Sequence, residues 1–180
     1  MEWICGFLIY MFAALGVALL AWHLVLHMYQ KAWQAAELPV SVKIKELTEG
    51  CFPVKAHPGD SGYDLYAAKD MKIYSGETKI IPLGFAVEMP EGMELQIRPR
   101  SGNSLRGTLM SPNAVGTVDS GYRGEVGFIV NNFGERPVKI KKGMRICQGV
   151  FGRVPDVVLL TTEELSPSQR GEKGFGSTGV

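Results

Sequence analysis

Four stretches of this 180-residue chain carry more chemistry than packing alone would require. Ser61-Gly62-Tyr63-Asp64-Leu65 sets an acid inside an otherwise apolar strand. Arg98-Pro99-Arg100-Ser101-Gly102-Asn103-Ser104 gathers two guanidiniums, two hydroxyls and a glycine that leaves backbone amides open, a set that suits an oxyanion such as phosphate. Gly116-Thr117-Val118-Asp119-Ser120-Gly121-Tyr122-Arg123-Gly124 ends an apolar strand in an acid, with an aromatic three residues on, so a possible base stands beside a flat stacking surface. The tail Arg170-Gly171-Glu172-Lys173-Gly174-Phe175-Gly176-Ser177-Thr178-Gly179 surrounds one ring with four glycines. Ordering such a segment costs much backbone entropy, so it is either plain disorder or an arm that closes over a ligand. Closure would put Phe175 on a ring and Arg170, Ser177 and Thr178 on phosphates, and stacking a base on an aromatic is worth about 1–3 kcal/mol. Taken singly, each stretch also has a plainer reading: a charge at a strand edge, a polar turn, or a hairpin capped by its Asp.

The elements that must position these groups are strands. Val40-Ser41-Val42-Lys43-Ile44-Lys45 alternates as a strand with one buried face does. Further strands are predicted at Tyr63–Ala67, Met71–Tyr74, Thr78–Ile81, Phe85–Met89, Glu94–Arg98, Glu125–Val130, Val138–Lys141 and Arg145–Val154. Turn chemistry separates them, as in Pro58-Gly59-Asp60, Pro90-Glu91-Gly92 and Lys142-Gly143. From residue 37 onward, 20 Gly and 10 Pro make up 30 of 144 residues, which excludes long helical bundles there. The pattern predicts an all-β, jelly-roll-like sandwich or barrel. The only helix-like scrap is Thr161–Leu165, and there is no internal repeat.

Charge and composition narrow the function. Residues 37–180 hold 17 acids and 18 bases, a net charge of +1, which argues against a nucleic-acid binder. Cys5, Cys51 and Cys147 lie far apart, so neither a disulfide framework nor a structural zinc site is expected. His57 is the only histidine after residue 36, which removes a Ser-His-Asp engine and a multi-histidine metal site.

The first 36 residues differ from the rest. Trp3 to Tyr29 is a run of 27 residues without Asp, Glu, Lys or Arg, long enough for the roughly 20 apolar residues that cross a bilayer. Trp3 at one end, and Trp22, Tyr29 and Trp33 toward the other, resemble interfacial aromatic belts. A cleaved signal peptide fits less well: the leading charge is Glu2, the run is too long, and Trp33-Gln34-Ala35-Ala36 is a poor cleavage site. Residues 3–29 are therefore expected to form a single-pass anchor, with Lys31, Lys43 and Lys45 placing the following domain on the cytoplasmic side. His23 and His27 share a helical face and are expected to snorkel toward headgroups rather than bind metal.

In their order, the clusters resemble the motifs of the trimeric dUTP diphosphatase (dUTPase) family. The resemblance covers about residues 38–180 and includes Ser61 to Ala68, Pro99-Arg100-Ser101-Gly102, Gly116 to Gly124, Arg145-Ile146-Cys147-Gln148 and Arg170 to Gly179. The N-terminal segment lies outside it. The resemblance implies a jelly-roll protomer in a homotrimer with shared active sites. It implies hydrolysis of dUTP to dUMP and diphosphate, which limits uracil in DNA and supplies dUMP for thymidylate synthesis, with Mg²⁺ held mainly by the triphosphate.

Residue by residue, Asp119 matches the general base, and Tyr122 the ring under the deoxyribose. Asn113 and Gly116 match the uracil-contacting turn and its strand. Arg100, Ser101, Gly102 and Gln148 match phosphate contacts, and Asp64 the acid that holds the metal through water. Arg170, Phe175, Gly176, Ser177 and Thr178 match an arm that closes over the nucleotide. Two departures stand out: Gly121 where the family often has an acid, and Asn103-Ser104 in place of a small apolar pair. The competing readings are a dCTP deaminase of the same fold and a membrane-tethered dUTP-binding regulator that hydrolyses slowly. The expected organisation is a membrane helix and linker over 1–36, a β domain over 37–169 and a flexible arm over 170–180.

Overall fold

The computed structural model describes residues 2–35, 39–105 and 107–174. The chain divides into two compact units, Met1–Lys43 and Ile44–Val180. The first is dominated by helix α1 (Glu2–Ala35), 34 residues without a break. At 1.5 Å per residue it is about 50 Å long. Among the described residues, no helix is long and apolar enough to cross a membrane. The expected span over residues 3–29 thus has a helix beneath it, but the structure does not support the crossing itself.

The second unit is built of short strands: β1 (Lys43–Glu46), β2 (Tyr63–Tyr66), β3 (Met71–Ile73), β4 (Thr78–Pro82), β5 (Phe85–Glu88), β6 (Met93–Pro99), β7 (Leu109–Met110), β8 (Gly116–Asp119), β9 (Gly127–Asn132), β10 (Val138–Ile140) and β11 (Arg145–Arg153). The largest sheet runs β2-β11-β6-β8, and a second runs β4-β9-β7. Two-stranded ribbons, β1-β5 and β3-β10, complete the set among the described residues. In both larger sheets the neighbours are antiparallel, so one face can be apolar and the other wet.

Inward positions supply the core. On β9 the alternation is strict, and Phe128, Val130 and Asn132 are the buried residues. Leu65, Ile73, Ile81, Leu83, Phe85, Leu95, Ile97, Ile140 and Ile146 join them. Among the described residues, Asn132 is the one buried polar residue. Its amide nitrogen donates to the carbonyls of Ile73 and Arg136 at 3.0 and 2.9 Å, and its oxygen accepts from the Gly134 amide at 3.0 Å. A polar side chain is tolerable in that position because its groups find partners.

The strand expectations hold with shifted ends, and three places differ. Ser101–Leu105 forms the short helix α2 where a polar turn was expected. Asn103 and Ser104 both donate backbone amides to the Arg100 carbonyl at 3.0 Å, which winds the loop. The two-residue strand β7 carries too little pattern to be visible in sequence. Thr161–Leu165 is not helical. The Thr162 hydroxyl donates to the Glu164 carbonyl at 2.8 Å, a local bond that competes with helix formation.

Candidate active site

The β2-β11-β6-β8 sheet places the sequence-predicted groups in two clusters. In the first, ladder register sets Asp64 of β2 opposite Gln148 of β11, and Gln148 opposite Arg98 of β6. Asp64 is nearly covered, with 12% of its side chain exposed. Its carboxylate bridges two cations: Arg100 Nε lies 3.0 Å from Oδ1 and Arg145 Nη1 lies 3.1 Å from Oδ2. Gln148 Nε2 donates to the Pro99 carbonyl at 3.0 Å, which ties β11 to the start of the Arg100 loop. On the other side of Gln148 lies Gly62, where an added Cβ would come 2.6 Å from Gln148 Oε1. The glycine therefore makes room for the glutamine side chain.

Asp64, Arg100, Gln148 and Gly62 line a cavity of about 320 Å³ together with Ala56, Asp60, Ser61 and Ser101. With Asp60 counted beside Asp64, the two guanidiniums and two carboxylates balance, so the cavity is polar without a net positive charge, and Arg100 is the cation that lines it. Guanidiniums bind phosphate oxygens well, often through two bonds at once. Gly102 follows in α2, where a Cβ would meet nothing within 4 Å. Beneath the cavity Cys147 is fully buried, and burial pushes its thiol well above the ordinary range despite the opposing pull of Arg100.

The second cluster lies on β8 and the turns at its two ends. Asp119 closes the strand opposite Glu94, and its carbonyl accepts the Tyr122 amide at 3.1 Å. Tyr122 stands half exposed, its hydroxyl donating to the Glu125 carbonyl at 3.1 Å. A Cβ on Gly124 would sit 2.6 Å from Tyr122 Cζ, so the hydroxyl end of the ring packs against bare backbone. Asn113 Oδ1 accepts from the Ser111 hydroxyl at 3.1 Å, and its amide nitrogen lies 3.3 Å from where a Gly116 Cβ would be. Asp119 borders a separate cavity of about 640 Å³ with Glu91, Glu94, Ser120 and Asp156.

The structure thus unites Asp64, Arg100, Ser101 and Gln148, and separately Asn113, Gly116, Asp119 and Tyr122. It does not unite the two groups within one chain. Arg170 is engaged in its own turn, donating through Nε to the Lys173 carbonyl at 2.9 Å and through Nη2 to the Gly174 carbonyl at 3.1 Å. Phe175, Gly176, Ser177 and Thr178 lie outside the described residues. Among the described residues, no group of three or more His, Cys, Asp or Glu could hold a metal. Asp64 already faces two guanidiniums, so the donor set fits an ion that arrives on phosphates and not a resident cage. Arg145 was not foreseen as a site residue, although the apolar pair Ile146-Cys147 beside it breaks strand alternation and is visible in the sequence.

Comparison with known proteins adds four findings. The dUTPase family model matches residues 48–179. The chain is 45% identical over 139 residues to a deoxyuridine 5'-triphosphate nucleotidohydrolase of Crocosphaera subtropica, covering 77% of this chain and 96% of that protein. It is 42% identical over 140 residues to the protein of the same name from Clostridioides difficile, covering 77% and 98%. Among solved structures, it resembles the Staphylococcus bacteriophage 80alpha dUTPase with dUPNHPP, with a TM-score of 0.72, 30% identity, and coverage of 78% of this chain and 99% of that one.

Proposed function

The chain belongs to the dUTPase family, and from that premise we propose how its own residues carry out the reaction. It is a dUTP diphosphatase that hydrolyses dUTP to dUMP and diphosphate. The observation that supports the residue assignment is the polar cavity lined by Asp64, Arg100, Ser101 and Gln148, which we read as the seat of a polyphosphate.

In this reading the triphosphate lies on Arg100, Ser101, the Gly102 backbone and Gln148. Asp119 accepts a proton from a water that attacks the α-phosphorus. The bond from that phosphorus to the bridging oxygen breaks, and diphosphate leaves. A positioned base contributes about 10²–10⁴-fold. Asp64 would hold a Mg²⁺ bound to the triphosphate through water, and such an ion would supply neutralisation of the charge that develops on the phosphates. Tyr122 supports the deoxyribose, and the Asn113 turn reads uracil. One methyl separates uracil from thymine and is worth only about 1–3 kcal/mol in a pocket, so rejection of dTTP must be steric. Arg170, Phe175, Gly176, Ser177 and Thr178 close the site as an arm.

The site is shared between chains of a homotrimer. Two observations favour this: the separation of Asp119 from the phosphate cradle, and the exposed apolar run Val157-Val158-Leu159-Leu160, at 63–90% exposure, which a lone domain would not leave in water. The deaminase and sensor readings are not favoured. The test is diphosphate release from dUTP, dCTP, dTTP and UTP with Mg²⁺, by the unaltered chain and by Asp119→Asn. Rapid, dUTP-selective release that disappears in Asp119→Asn agrees with the assignment. Tight binding of dUTP without release by the unaltered chain would overturn it.

For residues 3–29 we read a membrane tether, with the catalytic domain on the cytoplasmic side. The support is the uncharged 27-residue run and the exposure of Leu15, Leu19, Leu20, Trp22, Met28 and Tyr29 along α1. A helix apolar on all sides needs a protein or lipid environment. Retention of the full chain in membrane pellets after alkaline washing is the expected result, and recovery in the supernatant would contradict it.

A further inference from the structure

Strand β11 does not alternate regularly at its start. Gln148 lies opposite Asp64 and Cys147 opposite Leu65, but the next partner, Tyr66, faces Arg145 and not Ile146. Ile146 is therefore an extra residue, a β-bulge. Its burial signature agrees: Ile146 and Cys147 are consecutive, yet 2% and 0% exposed. In an unbroken strand, Arg145 would share the inward face of Cys147. The bulge turns it to the face of Asp64 and Gln148, where its guanidinium meets the Asp64 carboxylate at 3.1 Å. Re-aiming one side chain is a known use of such a bulge.

A bulge also disturbs the ladder and leaves carbonyls in need of donors. Here a side chain supplies one. Asn103 Nδ2 donates to the Ile146 carbonyl at 2.9 Å and approaches the Arg145 carbonyl at 3.5 Å. Asn103 belongs to α2, two residues beyond Ser101 and three beyond Arg100. One amide thus ties the phosphate loop to the bulge that aims Arg145. It is also one of the positions at which this chain departs from its family's small apolar pair.

We propose that Asn103 and Arg145 are positioning residues acting in series. Asn103 fixes the bulge, the bulge aims Arg145, and Asp64, held by Arg145 on one oxygen, presents Arg100 from the other toward the triphosphate. The inference rests on the reading of this cavity as the triphosphate seat. It identifies a device for keeping the Arg100 loop in register with β11.

The experiment is steady-state dUTP hydrolysis with Mg²⁺ by the full chain, with thermal unfolding of every variant and kinetics measured where all are folded. The variants are Asn103→Ala, Arg145→Gln, Arg145→Lys and the double change Asn103→Ala/Arg145→Gln. Asn103→Ser, which keeps a short donor, serves if Asn103→Ala does not fold. Arg145→Gln is expected to raise KM about tenfold while kcat falls less than about threefold, and Arg145→Lys to recover part of the loss. Asn103→Ala is expected to raise KM about threefold alone and to add nothing in the Arg145→Gln background, the sign of two residues acting through one path. Penalties that multiply in the double variant, or an unchanged KM in Arg145→Gln, overturn the inference alone. Absence of dUTP hydrolysis by the unaltered chain overturns the functional reading, and this inference with it.

Discussion

Asp119 and Gln148 belong to the same sheet, but they face β6 from its two sides, at rungs four residues apart. Gln148 stands opposite Arg98 and Asp119 opposite Glu94, four residues further back along β6. Four residues along a strand are about 13 Å and two strand spacings about 10 Å, so the two positions are about 16 Å apart. An attacking water and the phosphates around it need their partners within a few ångströms. On the proposed reading, the base of one chain serves the phosphate cradle of another, and turnover is expected to require assembly.

Gly62 is a packing requirement of the phosphate cradle. A methyl there would meet Gln148 Oε1 and displace the side chain from the cavity. Gly62→Ala should raise KM for dUTP about three- to tenfold while the unfolding midpoint moves by only a few degrees. Steady-state kinetics beside a thermal melt checks this, and an unchanged KM would show that Gln148 does not hold phosphate from this position.

Tyr122 should govern the choice between deoxyribose and ribose through its ring, since its hydroxyl is already engaged with the Glu125 carbonyl. Tyr122→Phe keeps the ring and should retain selectivity. Tyr122→Ala should cut the ratio of kcat/KM for dUTP over UTP by about tenfold or more, within the range that one shaped contact supplies. Equal ratios in the two variants would remove the ring from sugar discrimination.

Cys147 makes stability depend on alkaline pH. Burial raises its thiol in the folded chain, so the folded state keeps a proton that the unfolded chain releases above the ordinary thiol range. The stability is fully present below that range and falls as pH rises through it, by about 1.4 kcal/mol per pH unit at most. Urea unfolding at pH 7.5 and pH 9.5 should show a larger alkaline loss for the unaltered chain than for Cys147→Ala. Equal losses would contradict the linkage.

What could be read from the sequence was whatever lies in consecutive residues. The acid in β2, the Arg-Ser-Gly loop and the Asp119–Tyr122 turn each declare their chemistry locally, and alternation places most strands to within a few residues. What could not be read depends on pairing across strands. Arg145 looks like an inward residue until the extra Ile146 is counted against β2, and register is a property of two strands, not one. The helix α2 winds on bonds from Asn103 and Ser104 to Arg100, which local propensity for a turn conceals. The division of the site into two clusters likewise follows from rung positions on β6, which no single motif contains.

The most direct test of the shared site mixes two inactive chains. Asp119→Asn and Gln148→Ala are each prepared, checked for loss of diphosphate release from dUTP with Mg²⁺, then unfolded together and refolded as mixed trimers. If base and cradle come from different chains, some sites in the mixture pair an intact Asp119 with an intact Gln148, and about a quarter of the unaltered rate should return, the statistical share when each half is intact in half the chains. A mixture as inactive as its two components would contradict the shared site and place the whole reaction within one chain.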